Sequence, residues 1–168
     1  LLLASLVTAA DRKPNFLFVY TDDQRWDAFG VVQREQGERA RFPWFQTPHM
    51  DRLAAEGVWF RNAFVTLSLC SPSRAAAMTG HFPSRYSIHQ HFADPAQNLA
   101  RGMPDWLDPK TPTVASLLKQ AGYATAHVGK WHLGMHPGSR PQDQGFDSTF
   151  GLPYSNDMDA RPGITGKD

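Results

Sequence analysis

The chain has 168 residues, with 17 basic and 16 acidic side chains and a formal net charge of +1. Such a balance gives no support to nucleic-acid binding as a main role. A hydrophobic content of 41% with 13 prolines and 13 glycines fits a globular chain with many ordered turns, long enough for one domain.

Residues 1–10 are apolar and end in Thr8-Ala9-Ala10, ahead of Asp11-Arg12-Lys13. This is the make-up of the later part of a secretory signal, an apolar core followed by a small-residue cleavage site. Ten residues are too few to span a bilayer, so no stable membrane span is expected; a buried strand or a frayed apolar end is the alternative. Read as a signal remnant, the segment makes the protein an exported one, periplasmic or extracellular. Residues 15–20 are a nearly continuous apolar run, which predicts a strand buried on both faces, and the run ends at Thr21-Asp22-Asp23-Gln24. Residues 33–41 are polar and read as an exposed loop. Thr47-Pro48 opens a helix over 49–56 that Gly57 closes, and a strand is expected over 58–65.

Ser71-Pro72 opens the next helix, with a capping hydroxyl followed by proline at the first helical position. Residues 73–79 are mostly good helix formers, and Gly80 reads as a left-handed cap. Residues 81–109 are rich in Pro, His and aromatic side chains without periodicity, and read as ordered loops over a site. Thr111-Pro112 opens a third helix over 113–121, closed by Gly122. A strand over 123–128 then ends at Gly129-Lys130-Trp131-His132. Alternation of strand and helix predicts an α/β fold, a mostly parallel central sheet flanked by helices. In open parallel sheets ligands bind beyond the carboxyl ends of the strands. Asp22-Asp23, Cys70 and Lys130-Trp131-His132 all follow predicted strands or open the next helix.

Cys70 is the only cysteine and has no partner for an internal disulfide. Its place at a helix start, one turn before Arg74, suits an anion: free N–H groups and the macrodipole favour negative charge there, and the arginine fork matches an oxyanion. A small buried hydrophobe is the alternative reading. Asp22 and Asp23 are adjacent carboxylates that a divalent cation would reconcile, calcium or magnesium by ligand hardness; an exposed capping turn is the alternative. Lys130 and His132, two apart in an extended segment, would project to one face. There Lys130 could hold an anion while His132 exchanges a proton near neutral pH.

Cys70-Ser71-Pro72-Ser73-Arg74 followed by Thr79-Gly80 resembles the signature of the type I sulfatases. Four further segments agree with it: Thr21-Asp22-Asp23-Gln24, Thr47-Pro48-His49-Met50-Asp51-Arg52-Leu53-Ala54, Gly129-Lys130-Trp131-His132-Leu133-Gly134, and Gly145-Phe146-Asp147 with Gly151-Leu152-Pro153-Tyr154-Ser155-Asn156-Asp157. Together they run from residue 14 to about 160 in the family's order, and Pro153-Tyr154-Ser155 resembles the arylsulfatase A-like subgroup. The resemblance implies the alkaline phosphatase-like superfold, here incomplete, with residues 14–168 as the N-terminal part of a catalytic domain. It implies that Cys70 is oxidised to Cα-formylglycine by a formylglycine-generating enzyme. Position 70 would then touch a calcium ion (magnesium as the alternative) held by Asp22 and Asp23, and its hydrate would act as nucleophile. Arg74 would stabilise the hydrate, Lys130 would bridge it to the sulfate, His132 would act as base when sulfate leaves, and Ser155 would contact the sulfate. His89 and His91 receive no role.

A hydrated aldehyde carries two hydroxyls on one carbon, so one can take the sulfuryl group and the other can expel it; a serine lacks the second. The expected activity is sulfate monoester hydrolysis, on an aryl sulfate or a sulfated glycan. A phosphatase or phosphonate monoester hydrolase of the same superfold is one alternative. Another is a non-catalytic secreted module that binds sulfated glycans through Arg74, Lys130, Arg85 and exposed aromatics. Ala77 stands where the family usually has Leu. The family's second metal-ligand pair and later histidine and lysine have no match in these residues, and Asp157 and Asp159 come too soon after Ser155 to replace that pair.

Overall fold

The computed structural model describes residues 13–155, which fall into two compact units divided after Arg61. The expected signal remnant, Asn156, Asp157 and Asp159 lie outside the described residues.

In the first unit, residues 13–21 have no regular secondary structure, and Leu17 is 90% exposed. A strand was expected over 15–20. A run that is apolar on both faces becomes a strand only with ladder partners and covering layers, and the described residues supply no ladder for it. The chain bends at Asp22 and Asp23, and Asp23 takes a left-handed φ of +53°. A 3-10 turn (Trp26–Ala28) and helix α1 (Gly30–Gln36) follow, and a second 3-10 turn (Glu38–Ala40) and helix α2 (Pro48–Glu56) complete the unit.

These two helices are joined by a cap supplied from outside. Thr47 and Asp51 of the second helix's start serve the N-terminus of α1: Gly30 N–H donates to Thr47 Oγ1 at 2.7 Å and Val31 N–H to Asp51 Oδ1 at 2.8 Å. Arg34 adds a 2.7 Å ion pair to the other carboxylate oxygen. A side chain at position 30 would put its Cβ 2.3 Å from Asp51 Oδ2, so it would displace the carboxylate that caps α1. The polar stretch 33–41 is mostly exposed, as expected, but it is not a loop: it holds the end of α1 and the second 3-10 turn. Gln33 is helical and buried, donating to Ala28 O at 2.7 Å and accepting from Phe42 N–H at 2.7 Å.

The second unit holds helices α3 (Cys70–Thr79), α4 (Pro95–Ala100) and α5 (Val114–Gln120), a 3-10 turn (Pro83–Tyr86), and strands β1 (Ala126–Val128) and β2 (Ser148–Phe150). The strands pair in parallel with Ala126 opposite Ser148 and Val128 opposite Phe150. Residues 58–65 form no strand, and Phe64 is 88% exposed; the reason is again a missing ladder. Gly80 ends α3 in the left-handed region (φ +69°), as its sequence predicts, with its N–H on Ala76 O. At the third helix Thr113, not Thr111, is the cap: it accepts from Ser116 N–H and forms a reciprocal capping box. The stretch 81–109 is more structured than its composition implies. Asp94 caps α4 by accepting from Gln97 N–H, and Ile88 and Phe92 enter the core. That core joins Ala75 of α3 to Ile88, Phe92, Met103, Leu107, Trp131 and Leu133. Full burial of side chains such as Phe92 or Ile88 stabilises by about 1.5–3 kcal/mol each. The same packing fixes α3 against the segment that follows β1.

Candidate active site

Helix α3 begins at Cys70, with Leu69 as an extended N-cap residue (φ −134°, ψ 151°) that offers no side-chain cap. The first helical bond runs from Ser73 N–H to Leu69 O at 3.1 Å. The N–H groups of Cys70 and Ser71 therefore have no partner within the helix, while Pro72 has none to satisfy. Ser71 is inside the helix rather than capping it. Its buried hydroxyl accepts instead from Phe92 N–H at 2.9 Å.

The second wall of the site is the segment after β1. Parallel pairing continues past the strands: Gly129 N–H donates to Phe150 O at 2.8 Å, Trp131 N–H to Leu152 O at 2.9 Å and His132 N–H to Pro153 O at 2.9 Å. This brings residues 150–155 alongside residues 129–132. The approach requires glycine at 151, where a Cβ would lie 2.0 Å from Gly129 O and φ is +153°. Trp131 turns into the core, with its ring nitrogen on Ser139 O at 2.9 Å, and locks the segment's register.

From this frame the Lys130 ammonium reaches two side chains at once, Cys70 Sγ at 3.2 Å and Ser155 Oγ at 3.0 Å. The sulfur marks the place of any oxygen that oxidation would put on the same carbon. Arg74, one turn along α3, donates through Nη1 to the Lys130 backbone carbonyl. The Lys130 ammonium and a helix N-terminus thus meet at position 70, so the place is electropositive before any ion is added.

His132 is 1% exposed. Its φ of +57° is outside extended backbone, so the alternation that would carry Lys130 and His132 to one face does not hold. The ring lies with Nε2 3.0 Å from Phe92 O, and its centroid is 5.7 Å from that of the Tyr154 ring, the two planes near perpendicular at 85°. Burial drives its pKa down from 6.5 to about 4; the Phe92 carbonyl opposes this, and Lys130, His91 and Arg74 reinforce it. The expected proton exchange near neutral pH is therefore displaced by burial to acid pH. His127 shifts the same way, by burial first and Arg74 second. Burial, with Asp105 nearby, raises the Tyr154 hydroxyl.

Asp22 and Asp23 belong to the first unit; Cys70, Arg74, Lys130, His132 and Ser155 belong to the second. Among the described residues there is no cluster of three or more His, Cys, Asp or Glu side chains. Two adjacent carboxylates have the donor chemistry of a hard cation but supply only part of the six to eight oxygens calcium takes. Sequence reasoning missed the Phe92 carbonyl and the Tyr154 ring as neighbours of His132, and Asn98 on the Phe92–Ala93 peptide behind it. None is in a periodic segment, and nothing local marks a backbone carbonyl as a partner.

A family model, Sulfatase, matches residues 14–167. The chain belongs to the sulfatase family. The chain is 41% identical over 167 residues to N-acetylgalactosamine-6-sulfatase of Sus scrofa, a match covering 94% of this chain and 30% of that protein. It is 38% identical over 147 residues to arylsulfatase G of Canis lupus familiaris, covering 88% and 25% respectively. Among solved structures it resembles the PsFucS1 sulfatase from Pseudoalteromonas sp., with a TM-score of 0.68 and 33% identity over 87% of this chain and 27% of that one. It also resembles a structure described under the metabolism of multiple glycosaminoglycans by Bacteroides thetaiotaomicron, with a TM-score of 0.70, 32% identity and coverage of 87% and 29%. The chain spans less than a third of the length of these relatives. Its fold is the α/β fold of the sulfatases, incomplete, and the β1–β2 pair is the part of the parallel sheet present among the described residues.

Proposed function

We propose that the protein carrying this chain hydrolyses sulfate monoesters, with position 70 as the nucleophilic centre. One observation carries the reading: a single ammonium, Lys130 Nζ, donates to Cys70 Sγ and Ser155 Oγ together at the N-terminus of α3, in a chain of the sulfatase family. A tetrahedral oxyanion seated there would meet Lys130, the Ser155 hydroxyl and the first-turn N–H groups that have no partner within the helix, and well-placed donors of this kind are worth about 3–4 kcal/mol each in a transition state. Arg74, through the Lys130 carbonyl, fixes the segment that carries the lysine. Neutral His132 is the candidate proton acceptor when sulfate leaves.

In this reading a formylglycine-generating enzyme converts Cys70, and the resulting aldehyde hydrate supplies paired hydroxyls, one to bond sulfur and one to release it. Asp22 and Asp23 would hold a divalent cation, calcium with magnesium as the alternative, whose charge favours the sulfuryl oxygens. The substrate class is a sulfated small molecule or glycan. The name N-acetylgalactosamine-6-sulfatase on a relative makes a sulfated sugar the first to try. Export belongs to the same proposal; no helix among the described residues is long and apolar enough to cross a membrane.

The test pairs mass spectrometry with turnover, both on the full-length protein from its native host. The Cys70 peptide is expected to carry the mass of the aldehyde, and an aryl sulfate is expected to be turned over faster than the matching aryl phosphate. Cys70→Ala should abolish turnover and leave the circular dichroism spectrum unchanged. An unmodified thiol, or full activity in that variant, would overturn the nucleophile assignment, and preference for the phosphate would make the enzyme a phosphatase.

A further inference from the structure

Phe92 O lies 3.0 Å from His132 Nε2. A carbonyl oxygen only accepts, so this ring nitrogen carries the proton, and in the neutral ring Nδ1 is a bare lone pair. Nδ1 is buried and finds no hydrogen-bond partner among the described residues. An unmet buried acceptor is rare and calls for a reason; here the reason is that a fixed carbonyl has chosen the tautomer.

That carbonyl is held from behind. The N–H of the same peptide unit, that of Ala93, donates to Asn98 Oδ1 at 2.9 Å. Asn98 is 1% exposed, and its amide nitrogen donates back to Ala93 O at 3.1 Å and to Asp105 Oδ1 at 2.8 Å. The N–H of Phe92 is taken by Ser71, next to the nucleophile position. An unbroken chain therefore runs from the Asp105 carboxylate through the Asn98 amide and the Phe92–Ala93 peptide to the imidazole. In such a chain each bond polarises the next.

We propose that Asn98, anchored on Asp105, is a positioning residue that acts through the Phe92–Ala93 peptide to hold His132 as its Nε2–H tautomer, with Nδ1 kept as the acceptor. The consequence for rate rests on the hydrolase reading above; the tautomer does not. If Nδ1 takes a proton only as sulfate leaves, loosening the carbonyl should lower kcat and leave KM unchanged. A clamp that merely stiffened the loop would have no reason to alter the tautomer.

The experiment uses full-length protein labelled with 15N-histidine. Wild type is expected to show His132 as a single Nε2–H tautomer at neutral pH. Asn98→Ala is expected to add an Nδ1–H population and to lower kcat by about tenfold with KM unchanged. Asp105→Ala keeps Asn98 in place and removes its anchor; it should move both readouts in the same direction by less, and it stands in if Asn98→Ala fails to fold. The proposal is overturned if wild type shows Nδ1–H. It is also overturned if both folded variants, or Asp105→Ala alone where Asn98→Ala does not fold, keep the wild-type tautomer and kcat. Should the tautomer shift as expected while wild type hydrolyses no sulfate ester, the positioning proposal stands and the hydrolase reading fails.

Discussion

Lowering the pH tests the buried imidazole directly. His132 is almost fully buried and its pKa falls from 6.5 to about 4. The unfolded chain keeps the ordinary value, so between these limits the unfolded state binds a proton that the folded state refuses. Stability is therefore at its full value above pH 6.5, declines as pH falls from 6.5 to about 4, and levels off below. At about 1.4 kcal/mol per pKa unit the complete loss is about 3 kcal/mol. His127, also lowered by burial and by Arg74, adds loss in the same direction. The carboxylates act in a separate, more acid window. Asp147, held at about 2 chiefly by its hydrogen bond from Lys119, loses its contribution only as pH falls from 3.8 toward 2. The assay is a proton NMR titration of the His132 ring in the full-length protein, joined to denaturant unfolding at about pH 7 and about pH 4.5. His132→Gln keeps a donor for Phe92 O and does not titrate, so it should remove most of the slope. A His132 midpoint near 6.5, or equal slopes in wild type and variant, would refute the reasoning.

Two further substitutions probe the frame and the charge. Gly151→Ala forces a Cβ to within 2.0 Å of Gly129 O, so the pairing of 129–132 with 150–153 must open. About 3 kcal/mol of destabilisation is expected, read as a lower unfolding temperature, and Ser155 should part from Lys130 with a raised KM for an aryl sulfate. A variant of wild-type stability would show that the two segments do not approach as described. Lys130→Met keeps the length of the stem and removes the donor to Cys70 and Ser155; kcat/KM should fall by about 10²–10³. A loss below about tenfold would remove Lys130 from any role at the reacting centre.

Local signals carried the sequence reading where the physics is local. Pro48 at a helix start, Gly80 at a helix end and the helix formers of 73–79 each act within one turn, and each element is found there. The reading missed where a group's partner is remote in sequence. Ser71-Pro72 has the form of a cap, but Ser71 faces Phe92, 21 residues on. Gln33 looked like a loop residue until its bond to Phe42 buried it. The runs 15–20 and 58–65 have strand composition, and composition cannot provide the neighbouring strand that makes a ladder. Of the candidate residues, Lys130 and Cys70 meet across 60 positions. The strand-end rule placed both on one sheet edge from sequence, and the resemblance of the motifs to one family's gave the pair its proposed roles. No such motif covers Asn98, whose whole importance lies in which peptide it holds.

The fixed cations and the imidazole are not independent parts. Two unit charges about 4 Å apart interact by about 4 kcal/mol where the effective dielectric constant is near 20. In the proposed reading a charged His132 would add to the attraction of Lys130 for a sulfate dianion, and product would leave more slowly. It would also have no lone pair with which to accept a proton. Burial first, and then Lys130, His91 and Arg74, push the ring toward neutrality, so in the proposed reading the lysine that would draw an anion to position 70 also helps to keep the candidate base unprotonated. Removing the Lys130 charge should therefore weaken anion binding and raise the basicity of His132 together. A loss of rate in such a variant is the sum of both effects, and only the imidazole titration can separate them.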